Sequence, residues 1–427
     1  MHSELICILT VVVSSQPNDK QDARTLVDPD AVLVLPPLLT NATLMRKVSD
    51  KLITPFNQMT TFYVRRSVEK AFQMDEQPHN LSLNMNKPLL SNPPHISSAV
   101  DDVMYIVNQI IQRSLATSQR AVIASVIPTI SRVLSSDFVA MIQRKMRDES
   151  YPKPSVQGGL PPEHVIVAFL VLLNNLDVAT DYIKRIVRSK LDTLSASSGA
   201  GDETPLARGI NDMYPFNHDA TFVRTALSNL EGSFEAKTTE LINDGIYLVF
   251  KNVMKPRLRP ILADTFRDID YGLSEEELEE INRLAEQDND ESTASDDVVL
   301  RRFQSGWEAL TKPIARVLTE ANFDRLLTYV LQHLGEVLEK RIWAHYGRIN
   351  SIGAVRLERD IAAMVSLVVR GARYALRDSF TRCSQICLVM NMEEDEWEEV
   401  KVQREDEGVE WKIDAQDRER ARGLVRG

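Results

Sequence analysis

The sequence predicts an all-α protein whose helices are long enough to build extended bundles, and three observations carry that reading. Apolar residues recur every three or four positions through most of the chain, the period of a helix with one buried face. Glycine (16), proline (19) and aromatic residues (6 %) are sparse for 427 residues, which leaves few turn formers for a chain of many short strands. No segment sustains apolar alternation with a period of two between turn signals. The length exceeds what one compact core accommodates, so two or three domains are expected.

Residues 1–43 mix Pro, Asp, Asn and Ser with short apolar runs and read as loosely ordered. Their LICILTVVV stretch has the length of a signal core but lacks a basic start, so it reads as a short strand or an arbitrary beginning rather than a signal peptide. The segment 44–155 opens with a helix from about Thr43 that Pro55 should kink or interrupt. Within it, 75–98 holds four prolines and four asparagines and reads as a linker. Ser98 is a candidate N-cap, with Asp101 and Asp102 in the first turn of the helix that follows. That helix places apolar residues at 100, 103, 104, 107, 110, 111 and 115.

A break at YPKPSVQGGLPPEH precedes a second bundle, 160–273. Its first helix is apolar almost all round near VIVAFLVLLNNL, the mark of a helix deep in a core. The Ser/Gly-rich 195–205 reads as a flexible loop. Residues 274–297 are strongly acidic and read as a short helix running into a connector. The C-terminal bundle, 298–427, ends in a long helix from about Ala354 to Met390, an acidic insert at 393–410 and an Arg-rich tail.

Composition and motifs exclude several functions. A net charge of −11 and a pI near 5.3 oppose chain-wide binding to nucleic acid or anionic lipid. Three cysteines fit a reducing compartment, and no run approaches the roughly 18 consecutive apolar residues that cross a bilayer. The seven histidines never fall three to five apart, HExxH is missing, and no Gly-rich phosphate loop or GxSxG elbow occurs. A non-catalytic protein without cofactor or metal is expected.

LRDSFTRCSQICLVMNM places Cys383 and Cys387 on the apolar stripe of the last helix, with Ile361, Met364, Val368, Ala372, Leu376, Phe380 and Met390. Lacking a second ligand pair and lying one turn apart, the thiols read as small core hydrophobes. The opposite face carries Arg370, Arg373 and Arg377 at spacings of three and four, a row along one helix. It reads as a solvated face paired with acids such as Asp378, as a basic docking strip, or as an anchor in which Arg377 ties a terminal segment through Asp417.

These blocks also carry a resemblance. VDDVMYIVNQIIQRSL, FLVLLNNLDVATDYI, KPRLRPIL and VRLERDIAAMVSLVVRGARYALRDSFTRCSQICLVMNM, with WKI at 411–413 before Asp417, are similar to the subunit-4 family of the conserved oligomeric Golgi complex. That is a multisubunit vesicle tether, and the likeness covers most of the chain from about Met45. It implies a rod of stacked helical bundles, as in other tethering complexes, working at the cytosolic face of Golgi membranes in retrograde transport within the Golgi. It implies as partners the other tether subunits, SNAREs and a Sec1/Munc18-type protein, with peripheral membrane association through those partners. The family's N-terminal portion of coiled-coil character, where assembly is expected, is expected to lack a counterpart in this sequence. Two competing readings are a subunit of another helical-rod tether, exocyst-like, and an all-α GTPase-activating regulator. The latter would use Arg370, Arg373 or Arg377 as an arginine finger, and placement inside a long helix speaks against it.

Overall fold

The computed structural model describes residues 43–154, 159–192, 209–216, 218–287, 297–370, 374–402 and 410–426. Among them the fold is helical throughout, with an isolated parallel bridge between Ile349 and Val425 and no β-strand. Besides short helices at Thr43–Val48 and Ile210–Met213, the helices are α1 Thr54–Gln73, α2 Ser98–Leu115, α3 Arg120–Val133, α4 Ala140–Asp148, α5 Glu163–Asp192, α6 Asp219–Val249 and α7 Lys255–Thr265. They continue as α8 Glu275–Gln287, α9 Val298–Ala315, α10 Glu320–Trp343, α11 Ser351–Val369, α12 Thr381–Asn391, α13 Glu394–Val402 and α14 Ala415–Arg422. Packing groups the chain into two compact units. One gathers Met1–Gln77, Ser97–Gln143 and Val178–Thr239; the other gathers Pro78–Ile96, Arg144–Asp177 and Glu240–Gly427. This grouping cuts across the consecutive segments 44–155, 160–273 and 298–427, because α5 and α6 are long enough to supply residues to both units.

In the first unit, the seven apolar positions read in α2 are all buried, and each such side chain contributes about 2 kcal/mol of hydrophobic stabilisation. Phe138 is the hub, with ring centroids 5.7 Å from Phe72 and 6.4 Å from Phe234. The cap of α2 differs from the expectation. Ser97 is the N-cap, and Ser98 is the first helical residue. Asp75 accepts from the Ala99 amide at 3.2 Å, while the Ser98 hydroxyl accepts from the Glu76 amide at 2.9 Å. A carboxylate from the end of the preceding α1 thus satisfies a helix N-terminus and complements its dipole.

Two prolines explain two of the three places where helices widen among the described residues; the third, Leu134–Val139, has no proline directly after it. Pro55 lies in the first turn of α1, directly after a π-helical turn at Ser49–Ile53. Pro256 lies in the first turn of α7, directly after a π-helical turn at Phe250–Met254. A proline offers no amide to the carbonyl four residues back and its ring crowds that group, so the preceding turn widens instead of closing normally.

In the second unit, the start of α5 is buried as its composition indicates: Phe169 through Leu173 all face the core. Two helical stretches, Arg120–Asp148 and Glu163–Leu191, are long and apolar enough to cross a bilayer, and 78 % of the most apolar window of the latter is buried inside the fold. Asn174 within α5 is fully buried and solves a backbone problem. Its amide donates to the carbonyls of His95 (3.1 Å) and Val317 (2.8 Å), and its oxygen accepts from the Thr319 amide at 2.9 Å. Thr319 then caps α10, accepting from the Asn322 amide, and donates to Asp177 at 2.7 Å.

The helix expected from Ala354 to Met390 is broken. α11 ends at Val369, Arg370 is extended (ψ 112°), Tyr374–Phe380 forms a 3-10 turn, and α12 begins at Thr381. Asn391 reaches back to the Ala354 carbonyl at 3.3 Å and to Glu358 at 2.5 Å. One continuous helix would hold those ends about 55 Å apart, so α11 and α12 form an antiparallel hairpin. The sequence carries Gly371 directly after Arg370, a residue type that is disfavoured in a helix interior.

Close backbone approach fixes two glycines. A Cβ on Gly335 would meet the Ser379 carbonyl oxygen at 2.3 Å, and one on Gly353 would meet the Tyr271 carbonyl oxygen at 1.7 Å. Gly353→Ala must displace backbone and should cost about 3 kcal/mol. Gly232→Ala, where a Cβ meets nothing within 4 Å in mid-helix, should stabilise by about 0.5–1 kcal/mol. Denaturant unfolding of both variants measures the contrast; equal shifts would contradict it.

Candidate functional site: the C-terminal arginine cluster and its groove

The hairpin break separates the arginines that the sequence places in one row. Arg370 lies at the C-terminal end of α11 and Arg377 in the 3-10 turn, both exposed, and Arg373 lies outside the described residues. The mid-helix placement that spoke against an arginine finger is therefore absent for Arg370 and Arg377. Asp378 is exposed and sits 3.8 Å from Lys412.

Asp417 carries an ion pair with Arg382, a residue the sequence reading passed over. The Arg382 guanidinium lies on α12 and joins three elements. It holds Glu339 of α10 through Nε (3.0 and 3.2 Å) and Nη2 (2.8 Å), Asp417 of α14 through Nη2 (2.8 Å), and the Lys412 carbonyl through Nη1 (2.9 Å). This two-pronged grip on Glu339 uses the planar fork that lysine lacks. The Arg382 hydrogen bonds hold the Glu339 carboxyl below its ordinary value, and the same bonds to Glu339 raise the arginine further. On the inner side of the same turn, Cys383 and Cys387 are buried to 1 % and 2 % exposure. The Cys383 thiol donates to the Gly335 carbonyl at 3.3 Å, and burial pushes its pKa up to about 12. Burial raises Cys387 as well. Protonated, enclosed thiols are core residues rather than nucleophiles.

Further ties hold the end of the chain. Gln385 donates to the Glu410 carbonyl and accepts from the Lys412 amide, both at 2.8 Å, so one side chain pairs with backbone as a neighbouring strand would. Asp414 caps α14 through the Asp417 amide at 2.7 Å. Arg422 bonds Glu394 at 2.8 Å and donates to the Met392 carbonyl. The Arg426 amide donates to Ile349 at 2.7 Å, and the Gly347 amide to Leu424 at 3.1 Å. Arg420 stacks on Trp343 with its guanidinium 4.5 Å from the ring centre.

Beside this cluster lies a groove of about 610 Å³ between α11, the 3-10 turn and α12. Val365, Val369, Phe380 and Leu388 give it apolar walls, and Arg370 and Arg377 both line it. Among the described residues, no group of three or more His, Cys, Asp or Glu is placed to hold a metal ion. The arrangement is equipped to bind and to hold shape.

Arg382→Ala leaves Glu339 half-buried without its cation and should cost about 2 kcal/mol at neutral pH, between the values for surface and buried pairs. A carboxyl whose folded-state pKa is depressed adds stability that is complete above its unfolded value and fades as pH falls through the folded one. The stability gap between wild type and Arg382→Ala should therefore shrink from about pH 5 downward. A gap independent of pH in thermal melts would assign the loss to packing alone.

Comparison with known proteins places this geometry. The family model described as "Conserved oligomeric Golgi complex subunit 4, C-terminal" matches residues 169–420, more than half of the chain, and includes the whole cluster from Glu339 to Asp417. A second, "COG4 transport protein, middle alpha-helical bundle", matches residues 13–146. The conserved oligomeric Golgi complex subunit 4 of Arabidopsis thaliana is 24 % identical over 376 residues, covering 88 % of this chain and 44 % of that protein. The Homo sapiens protein of the same name is 22 % identical over 383 residues, covering 83 % and 43 %. That of Saccharomyces cerevisiae is 23 % identical over 267 residues, covering 60 % and 30 %. The chain thus spans less than half the length of these curated relatives. A solved structure of Myo2-GTD in complex with Mmr1 aligns over 86 % of this chain and 79 % of its own with a TM-score of 0.37 and 11 % identity, a likeness too distant to carry an argument. The matches to both the middle bundle and the C-terminal domain establish that this chain belongs to the conserved oligomeric Golgi complex subunit 4 family.

Proposed function

We propose that this chain acts as a non-catalytic part of a Golgi vesicle-tethering complex in retrograde transport within the Golgi. It binds other subunits of that complex and engages SNAREs and a Sec1/Munc18-type regulator at the cytosolic face of Golgi membranes, held there through its partners. The family match over residues 169–420 carries this reading. The physical chemistry supports it: helical bundles with long polar faces present surface to several partners, and weak contacts on one scaffold reinforce each other through effective concentration. A SNARE bundle is itself made of amphipathic helices, so its docking would reuse helix-in-groove recognition. In this reading Arg382, Glu339 and Asp417 keep the C-terminal surface in shape rather than touching a substrate.

Affinity purification of the tagged chain from its own cells, with partners identified by mass spectrometry, tests the proposal. Golgi tether subunits are the expected co-purifying proteins, together with SNAREs. Exocyst-type subunits in their place would move the chain to another tether. Accelerated GTP hydrolysis by a small GTPase, lost in Arg377→Ala, would replace the scaffold reading with a regulator of GTPases.

A further inference from the structure

The helical run that opens the first unit enters the fold with an apolar side uncovered. Across residues 49–63 no residue is buried, and the buried stripe of α1 begins only at Val64. Apolar side chains stand there all the same. Met59 and Phe62 are each 72 % exposed, Leu52 65 % and Tyr63 51 %, at spacings of seven, three and four that set them on one side of the helix. Single exposed apolar residues are ordinary, but a stripe of them about 17 Å long marks a contact surface. Phe62 also walls a groove of about 1070 Å³ between α1 and α3, lined by Asn57, Thr61, Arg65 and Ser125 among others. The Asn57 side-chain oxygen is buried there and accepts no hydrogen bond among the described residues. A buried acceptor in that state costs stability until a donor reaches it.

The sequence just upstream has the matching chemistry. The middle-bundle family model matches residues 13–146, so residues 13–42 belong to the bundle that holds α1, α2 and α3. Within them residues 31–39 read AVLVLPPLL, seven apolar residues and two prolines. We propose that residues 31–39 lie antiparallel along the exposed side of α1 as an extended strap that covers Leu52, Met59, Phe62 and Tyr63. Pro36 and Pro37 favour extended backbone, in themselves and in Leu35 before them. An extended strap keeps amides free of helical bonding, and one of them supplies the donor that Asn57 lacks. Residues 40–42 make the reversal before the helix at Thr43, and Asn41 tolerates turn conformations. Nine extended residues span about 30 Å, which is also the rise of the helix from residue 43 to residue 63. Asp28 and Asp30 then fall beside the turn that carries Arg65, Arg66 and Lys70. Arg65 already faces Asp137 and Arg66 pairs with Glu69, so charge agrees with this direction without selecting the occupant. Attachment selects it: held three residues from the helix, the run meets α1 at an effective concentration that a separate polypeptide does not match. The strap concerns the chain alone and stands or falls apart from the tethering role.

Hydroxyl-radical footprinting of the full chain, with methionine oxidation read by mass spectrometry, tests the strap. Met59 is compared with Met74, which is 64 % exposed at the far end of α1, outside the reach of residues 31–39. Met59 should be oxidised about fivefold more slowly than Met74, at any protein concentration. Val32→Asp with Val34→Asp alters one face of an extended strap and should bring Met59 to the Met74 rate. Phe62→Asp, at an exposed position of α1, should do the same from the other side of the contact. Unchanged far-UV helicity shows that the variants are folded. Comparable rates for Met59 and Met74 in the wild type overturn the proposal. So does protection that survives Val32→Asp with Val34→Asp, which assigns the face to another part of the chain. Protection that fades on dilution of the wild type assigns it to a second copy and overturns the proposal equally.

Discussion

One guanidinium organises the C-terminal part of this protein. Arg382 stands on α12 where α10 passes on one side and the chain's last segment on another, and it satisfies acceptors from both. Its position is possible because Gly335, one turn before Glu339 on α10, lets the Ser379 backbone come close enough to bring the start of α12 against that helix. The neighbouring Cys383 turns inward and bonds the Gly335 carbonyl, so consecutive residues give α12 an apolar side and a charged side. An ion pair of this kind stabilises modestly, since desolvation offsets much of the attraction. Its larger effect is on geometry: three elements with no sequence proximity are set in one register, and the groove lined by Arg370, Arg377 and Gln385 takes its shape from the result.

The helices widen at defined points. Proline follows a widened turn at Pro55 and at Pro256, and in each case the helix resumes beyond it. The deformation is local because one missing amide and one ring clash affect a single turn.

Much of this was legible in the sequence, and what escaped it did so for physical reasons. The stripe of α2 and the enclosed start of α5 follow from apolar periodicity, which reports burial directly. The hairpin at Arg370–Phe380 escaped because its two helices pack against each other with one shared apolar phase. Ile361, Met364, Val368, Phe380, Cys383, Cys387 and Met390 keep helical spacing straight through the break. Gly371 was the available sign. Arg382 escaped because spacing arguments detect neighbours three or four apart, whereas its partners lie 43 and 35 residues away. The cap on α2 escaped for the same reason, its acceptor Asp75 lying 24 residues upstream beyond a proline-rich stretch that reads as a linker. The docking surfaces and partners that the resemblance implied were never in the periodicity at all.

The sorting of Pro78–Ile96 into a unit completed much later in the chain sets the order in which a nascent polypeptide can finish folding. The carbonyl of Lys87 accepts from Arg316, 229 residues downstream, and that of His95 from Asn174, 79 residues downstream. At usual synthesis rates the ribosome needs on the order of ten seconds or more to deliver Arg316 after Lys87 has emerged. During that interval the first unit can assemble through Thr239, while Pro78–Ile96, looped out between Gln77 and Ser97 and tethered at both ends by α1 and α2, waits for its acceptors to be claimed. Contacts this distant in sequence make folding slow, and a chain released early would display that loop to chaperones.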